Sequence, residues 1–177
     1  MPLIELLFSF KGRMQRLYWW VTTIAVGAAA GAITTILDVA AKSSGEAILN
    51  PETHQVEPTG ILGIAALAVG MANLWINFAL SVKRLHDRDR TGWWVVWQTL
   101  ALFIAVIAIV VAVVVAKEES PSPELVTASY VVAGVFGVAA FVISIWLFIE
   151  IGFLRGTQGP NRYGPDPLGA AQADASI

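Results

Sequence analysis

Cysteine is absent from the 177 residues, which excludes disulfides, thiolate metal sites and a cysteine nucleophile. Charge is scarce: Asp, Glu, Lys and Arg make up 14% of the chain, against about 25% in an ordinary soluble domain. No block of like charge is long enough to serve as a nucleic-acid arm, so nucleic acid is not an expected partner. A catalytic triad motif, a Walker loop, a dinucleotide fingerprint and a zinc helix motif are missing as well, and no cofactor or metal is implied. No tandem repeat of a solenoid period is present.

What the chain has instead is apolar sequence, 56% of all residues, above the roughly 45–50% of soluble domains. Four runs carry no charge at all: 17–37, 61–82, 93–116 and 125–149. Even the shortest, Leu17 to Leu37, reaches about 31 Å as a helix, enough for a hydrocarbon core of about 30 Å. The expectation is an all-α membrane protein, a four transmembrane helix bundle with a cytoplasmic polar cap. It forms a single integral membrane domain over residues 1–167, with a disordered tail at 168–177. Ala28-Ala29-Ala30 resembles a signal cleavage site, but the long basic lead and Tyr18-Trp19-Trp20 favour a retained span.

Small residues mark packing faces: Thr23, Gly27, Gly31 and Thr35 in the first run, Ala101, Ala105, Ala108 and Ala112 in the third, Ala133, Gly137, Ala140 and Ser144 in the fourth. Asp38 to Gly60 reads as an acidic loop, and Lys117 to Glu124 as an acidic turn broken by prolines. If the N-terminus is cytoplasmic, nine of the 11 Lys and Arg residues lie inside, leaving Lys42 and Lys117 outside. That bias predicts both termini in the cytoplasm.

Inside the second run, Asn73, Asn77 and Ser81 share a helical face. Amides in hydrocarbon need partners, so they predict interhelical hydrogen bonds or one wall of a polar pathway. Glu150, at the end of the fourth run, is placed to pair with Arg84 or Arg155. Tyr18, Trp19, Trp20, Trp93, Trp94 and Trp97 read as interface anchors. The densest charge is the stretch Lys83 to Trp94, a cytoplasmic loop on this reading. His86, Asp87 and Asp89 within it can in principle bind a metal or exchange a proton, yet the neighbouring cations favour simple ion pairs.

Three segments fall on the same predicted side: Phe8 to Trp19 with its Phe-Lys-Gly-Arg, Arg84-Leu85-His86-Asp87 with Thr91-Gly92-Trp93-Trp94, and Gly159-Pro160-Asn161-Arg162-Tyr163-Gly164-Pro165-Asp166-Pro167. In this order they resemble the YhaH/YhaI-like family of small bacterial inner-membrane proteins, a domain of unknown function, from about Leu6 to Pro167. The resemblance implies a multi-span protein of the bacterial plasma membrane and carries no activity, substrate or catalytic residue.

The reading that follows is a membrane module that is either structural or binds anionic phospholipid or a partner protein. Its partners would be the lipid bilayer, an anionic headgroup, and a membrane protein or a second copy. Arg13, Arg16, Arg84, His86, Asp87, Arg88, Arg90, Asn161 and Arg162 form the candidate cap, with Asp87 receiving an arginine and Asn161 satisfying turn backbone. A transporter component using the Asn73 face and a membrane enzyme using the His86/Asp87 loop are the alternatives.

Overall fold

The computed structural model describes residues 2–45, 47–49, 56–58, 60–117 and 122–169. A short helix α1 (Leu3–Phe8) precedes α2 (Arg16–Ser44), α3 (Gly60–Asp87), α4 (Trp93–Ala116) and α5 (Pro123–Gly152). Between α2 and α3 the strands β1 (Ala47–Leu49) and β2 (Val56–Pro58) pair antiparallel, Ala47 opposite Pro58. The four long helices are apolar and long enough to cross a membrane. The chain is a multi-pass membrane protein with an all-α bundle.

The helices outrun their uncharged stretches. Good helix formers at Ala40 and Ala41 carry α2 past Asp38 and Lys42, until Gly45 at φ 75° closes it in the left-handed conformation. Part of the expected acidic loop is therefore helix. Ser122 accepts from the Leu125 N–H and Pro123 occupies the first turn, which sets the start of α5. α3 is the more consequential case, because it runs straight through Lys83-Arg84-Leu85-His86-Asp87. Those residues were expected in a loop and are the last turn of a helix, past the apolar span 61–82. The true turn is 88–92, where Arg88 and Arg90 N–H both bond to Leu85 O and Asp89 adopts φ 56°. Gly92 ends it beneath Val82, where a Cβ would sit 2.7 Å from a valine methyl.

The bundle is two helical hairpins, α2 with α3 and α4 with α5. Alanines seam the second: Ala101, Ala105, Ala108 and Ala112 are buried against a face that includes Ala133 and Ala140. Gln98 Nε2 donates across it to Ser144 Oγ at 2.7 Å, and Ser144 donates to Ala140 O at 2.7 Å. The first hairpin is far less covered. On α2 only Trp19 and Ala41 are buried, and on α3 burial begins at Ala79. Of the expected seam through Thr23, Gly27, Gly31 and Thr35, only the Thr23 hydroxyl is covered; Gly27 and Gly31 face open space and Thr35 bonds back to Gly31 O at 2.8 Å.

The hairpins meet in one core at one end, where Trp19 of α2, Leu80 and Leu85 of α3, Val95 of α4, and Leu147 and Ile151 of α5 form a buried cluster. Beneath that cluster lies the polar cap. The expected disordered tail falls, over 170–177, outside the described residues; Leu168 N–H and Gly169 N–H both bond to Asp166.

Candidate functional site

The cap is organised by Asp87. One carboxylate oxygen takes Arg13 Nη2 at 3.0 Å, and the other takes Arg84 Nη1 at 2.5 Å, with all three side chains almost fully buried. Burial pushes the Asp87 carboxyl up, while the guanidiniums of Arg84 and Arg13 oppose it. Arg13 then spends its remaining donors on backbone: Nη1 to Gly159 O at 2.6 Å and Nη2 to Thr157 O at 2.6 Å. Asp87 O in turn accepts from Thr157 N at 2.8 Å and Thr157 Oγ1 at 3.0 Å. A planar five-donor fork is the side chain that can tie one carboxylate to two distant loop carbonyls.

The same economy closes α5. A helix end leaves its last carbonyls without partners, and here they are collected by three other side chains. Arg84 Nε donates to Ile151 O at 2.8 Å and its Nη2 to Leu154 O, Trp20 Nε1 to Gly152 O at 3.0 Å, and Arg16 Nη1 to Phe153 O at 2.8 Å. Cationic groups at a helix C-terminus also oppose its negative dipole end. Lys83 does the equivalent for α1, donating to Glu5 O at 2.8 Å and to Leu6 O. Arg84 and Lys83 are fully buried, and both are consumed by the protein itself.

Glu150 is buried and pairs with Arg88 at 3.2 Å and Arg90 at 3.3 Å, not with Arg84 or Arg155 as the sequence suggested. The turn at 88–92 brings those two arginines under α5, whereas Arg84 is already engaged by Asp87. Arg162 pairs with Asp89 at 3.1 Å and lies over the Tyr163 ring. Tyr163 stacks on His86, with ring centroids 3.8 Å apart and planes 5° from parallel. His86 Nδ1 lies 3.3 Å from Gly12 O, and a carbonyl can only accept, so Nδ1 carries the proton. Half-burial and the nearby Arg162 push the imidazole below its ordinary value, the Gly12 contact opposing. Asn161 Nδ2 donates to His86 O at 2.9 Å while its Oδ1 accepts from Tyr163 N at 2.9 Å, which pins the Asn161–Gly164 turn. At the tail end, Leu168 and Gly159 N–H groups hold the Asp166 carboxyl below the usual carboxylate range.

The three cap segments thus meet as one network. Among the interface anchors, Tyr18, Trp93, Trp94 and Trp97 are exposed, but Trp19 is buried in the core and Trp20 caps α5. Those two are packing residues, because the start of α2 is pinned against α3 and α5. The Asn73 face is also quieter than expected: Asn77 Nδ2 bonds to Asn73 O and Oδ1, each at 2.9 Å, within one helix. Ser81 lines a small cavity of about 170 Å³ between the hairpins. Among the described residues no cluster of His, Asp and Glu fit for a metal occurs.

Sequence reasoning missed Lys83 as a buried capping group, Thr157 as the hydroxyl under Asp87, and Gly156. A Cβ on Gly156 would lie 2.0 Å from Asp87 Oδ2. The hint was the Gly-Thr step just after Arg155, where backbone must pass close to something large.

Two of the exposed cations frame a second feature. Arg16 and Arg155, with Gln15, Leu17 and Leu168, line a cavity of about 300 Å³ beside the start of α2, with Asp87 at its floor.

No solved structure matches this chain. It is 30% identical to the protein named "Uncharacterized protein YiiR" of Escherichia coli (strain K12), over 94% of this chain and 90% of that protein, and equally to its counterpart in Escherichia coli O157:H7. The relatives matched bear the YiiR name and not the YhaH/YhaI names. Residues 7–165, which hold the first two cap segments and the third as far as Pro165, match the family described as "Protein of unknown function (DUF805)", and the chain belongs to that family.

Proposed function

We propose that this protein is a module of the bacterial inner membrane, with both termini and the cap in the cytoplasm, that holds an anionic phospholipid headgroup between Arg16 and Arg155. The observation that carries this reading is the division of cations in the cap. Arg13, Lys83 and Arg84 are buried, and every donor nitrogen of each is engaged by the chain's own acceptors, so they serve as a rigid platform. Arg155 and Arg16, the latter with only Nη1 spent on Phe153 O, are exposed and flank the cavity of about 300 Å³, with guanidinium donors left for a phosphate. Asp87 at its floor is already neutralised by two guanidiniums.

Depth supports the same reading. Leu17 begins the apolar span and lines the cavity, so a headgroup seated there keeps its acyl chains beside α2. Basic residues at an anionic leaflet are worth about 1 kcal/mol each. The orientation rests on the nine-to-two distribution of Lys and Arg, from 11 in all.

Native mass spectrometry of the protein extracted with its own lipids tests the proposal. Wild type retains an anionic phospholipid selectively, and Arg155→Ala loses it while its melting temperature is unchanged. Equal retention by both proteins, or no selective lipid on either, overturns it.

A further inference from the structure

We infer that the cavity between α3 and α4, on the other side of the cap, binds an uncharged amphiphile through a hydroxyl head donated to His86 Nε2. The cavity has a volume of about 380 Å³, a size ordinary for small-ligand sites, and is lined by Phe10, Phe78, His86, Thr91, Trp93 and Tyr163 among others. This site is independent of the Arg16/Arg155 cavity and takes a different chemistry.

The lining sets the class of ligand. It is chiefly aromatic and aliphatic, with His86 and Thr91 as polar functions. His86 Nδ1 is committed to Gly12 O, so the opposite ring nitrogen, Nε2, is left as an acceptor with no partner among the described residues. Thr91 Oγ1 accepts weakly from Trp93 N–H at 3.4 Å and keeps its own O–H to donate. An acceptor and a donor lining one cavity match a hydroxyl, which supplies one of each.

An anionic head finds no partner in these surroundings. Arg162, the cation on the Tyr163 wall, is held by the Asp89 carboxylate and carbonyl, at 3.1 and 2.6 Å, so no Lys or Arg lines the cavity as a free counter-ion for a phosphate. The imidazole itself is fixed flat against Tyr163 and so presents a constant edge.

Access is lateral. Phe78 belongs to the apolar span of α3 and Val96 to that of α4, while His86 and Tyr163 belong to the cap, so the cavity bridges membrane depth and cap. Exposed Trp93 stands at its rim. A bilayer-dissolved molecule enters tail-outward, its head reaching His86. Phenolic ring heads and aliphatic alcohols such as diacylglycerol share this chemistry.

The test uses the full chain in lipid nanodiscs and the imidazole ¹⁵N resonance. The chain has 2 histidines, so His54→Gln leaves His86 as the sole signal. Nonylphenol and dioctanoylglycerol are titrated separately, with nonylanisole as the analogue lacking O–H. The expected result is a saturable Nε2 shift with at least one hydroxyl probe and none with nonylanisole. The phenol shifting alone identifies a ring head, and the glyceride alone an aliphatic one. Val96→Phe, which fills the cavity from the α4 wall without touching the cap network, abolishes the shift. No saturable shift with either hydroxyl probe, an equal shift with nonylanisole, or an undiminished shift in a folded Val96→Phe protein overturns the inference.

Discussion

Gly156→Ala tests whether Asp87 is the keystone of the cap. The added Cβ would lie 2.0 Å from Asp87 Oδ2 and 2.6 Å from its Cγ, more than an ångström inside normal contact. The carboxylate cannot retreat, because Arg13 and Arg84 grip it at 3.0 and 2.5 Å. Either Asp87 leaves its partners, or the 155–159 segment lifts away and takes the Thr157 and Gly159 carbonyls from Arg13, and both outcomes strip acceptors from a buried guanidinium. Breaking a buried pair costs about 3–5 kcal/mol. For a chain of this size that is a fall of roughly 6–20 °C in melting temperature, readable by thermal unfolding in detergent. Gly137→Ala, facing open space on α5, is the control and leaves the melting temperature unchanged or slightly higher. The decisive comparison is the double-mutant cycle with Asp87→Ala. If the clash with the carboxylate is the cause, Gly156→Ala costs little in that background. An equal cost with and without Asp87, or a Gly156→Ala protein as stable as wild type, would refute the keystone argument.

Other perturbations separate the remaining parts. Arg84→Lys keeps the charge but cannot reach Asp87, Ile151 O and Leu154 O together; a loss of about 2–4 kcal/mol is expected, with faster amide exchange in the last turn of α5. Gln98→Leu removes the one α4–α5 side-chain bond to Ser144 and should cost only about 0.6–1.7 kcal/mol, measured by unfolding in mixed micelles. Lowering pH should loosen the His86–Tyr163 stack. The folded imidazole titrates below its ordinary 6.5, so the unfolded chain takes the proton first, and the contribution is fully present above 6.5 and is lost as pH falls toward the depressed value. In a His54→Gln background the melting temperature therefore declines through that window, and His86→Phe, which stacks without titrating, flattens the decline.

How much of this was legible in the sequence depends on the kind of partner each residue uses. The spans were readable because lipid forbids charge, and 61–82 and 93–116 have none. The convergence of Arg13, Asp87 and Asn161 was readable from their shared side. The end of α3 was not. Lys83 to Asp87 looked like solvated loop because the sequence shows only two carboxylates nearby for four cations. The structure satisfies those cations mostly with backbone carbonyls of Glu5, Ile151, Leu154 and Arg155, acceptors that every residue carries and no sequence pattern marks. Glu150 illustrates the converse. Its need for a cation was plain, but the choice of Arg88 and Arg90 depended on how tightly the 88–92 turn folds beneath Val82.

This division also explains why the cap is polar at all. The hairpins are joined through a single small core, so in the described residues little apolar area is available to fix the angle between α2–α3 and α4–α5. In lipid, further apolar surface between them would not help much, since acyl chains solvate it equally well. Directional bonds from buried arginines to helix-terminal carbonyls have no such competitor: if the hairpins part, Arg84 and the end of α5 both lose their partners in a place water reaches poorly. The network therefore sets the angle between the hairpins where packing cannot. The two cavities flanking the cap, one edged by Arg16 and Arg155 and one by His86 and Thr91, both include cap residues, and their shapes hold only while that angle holds.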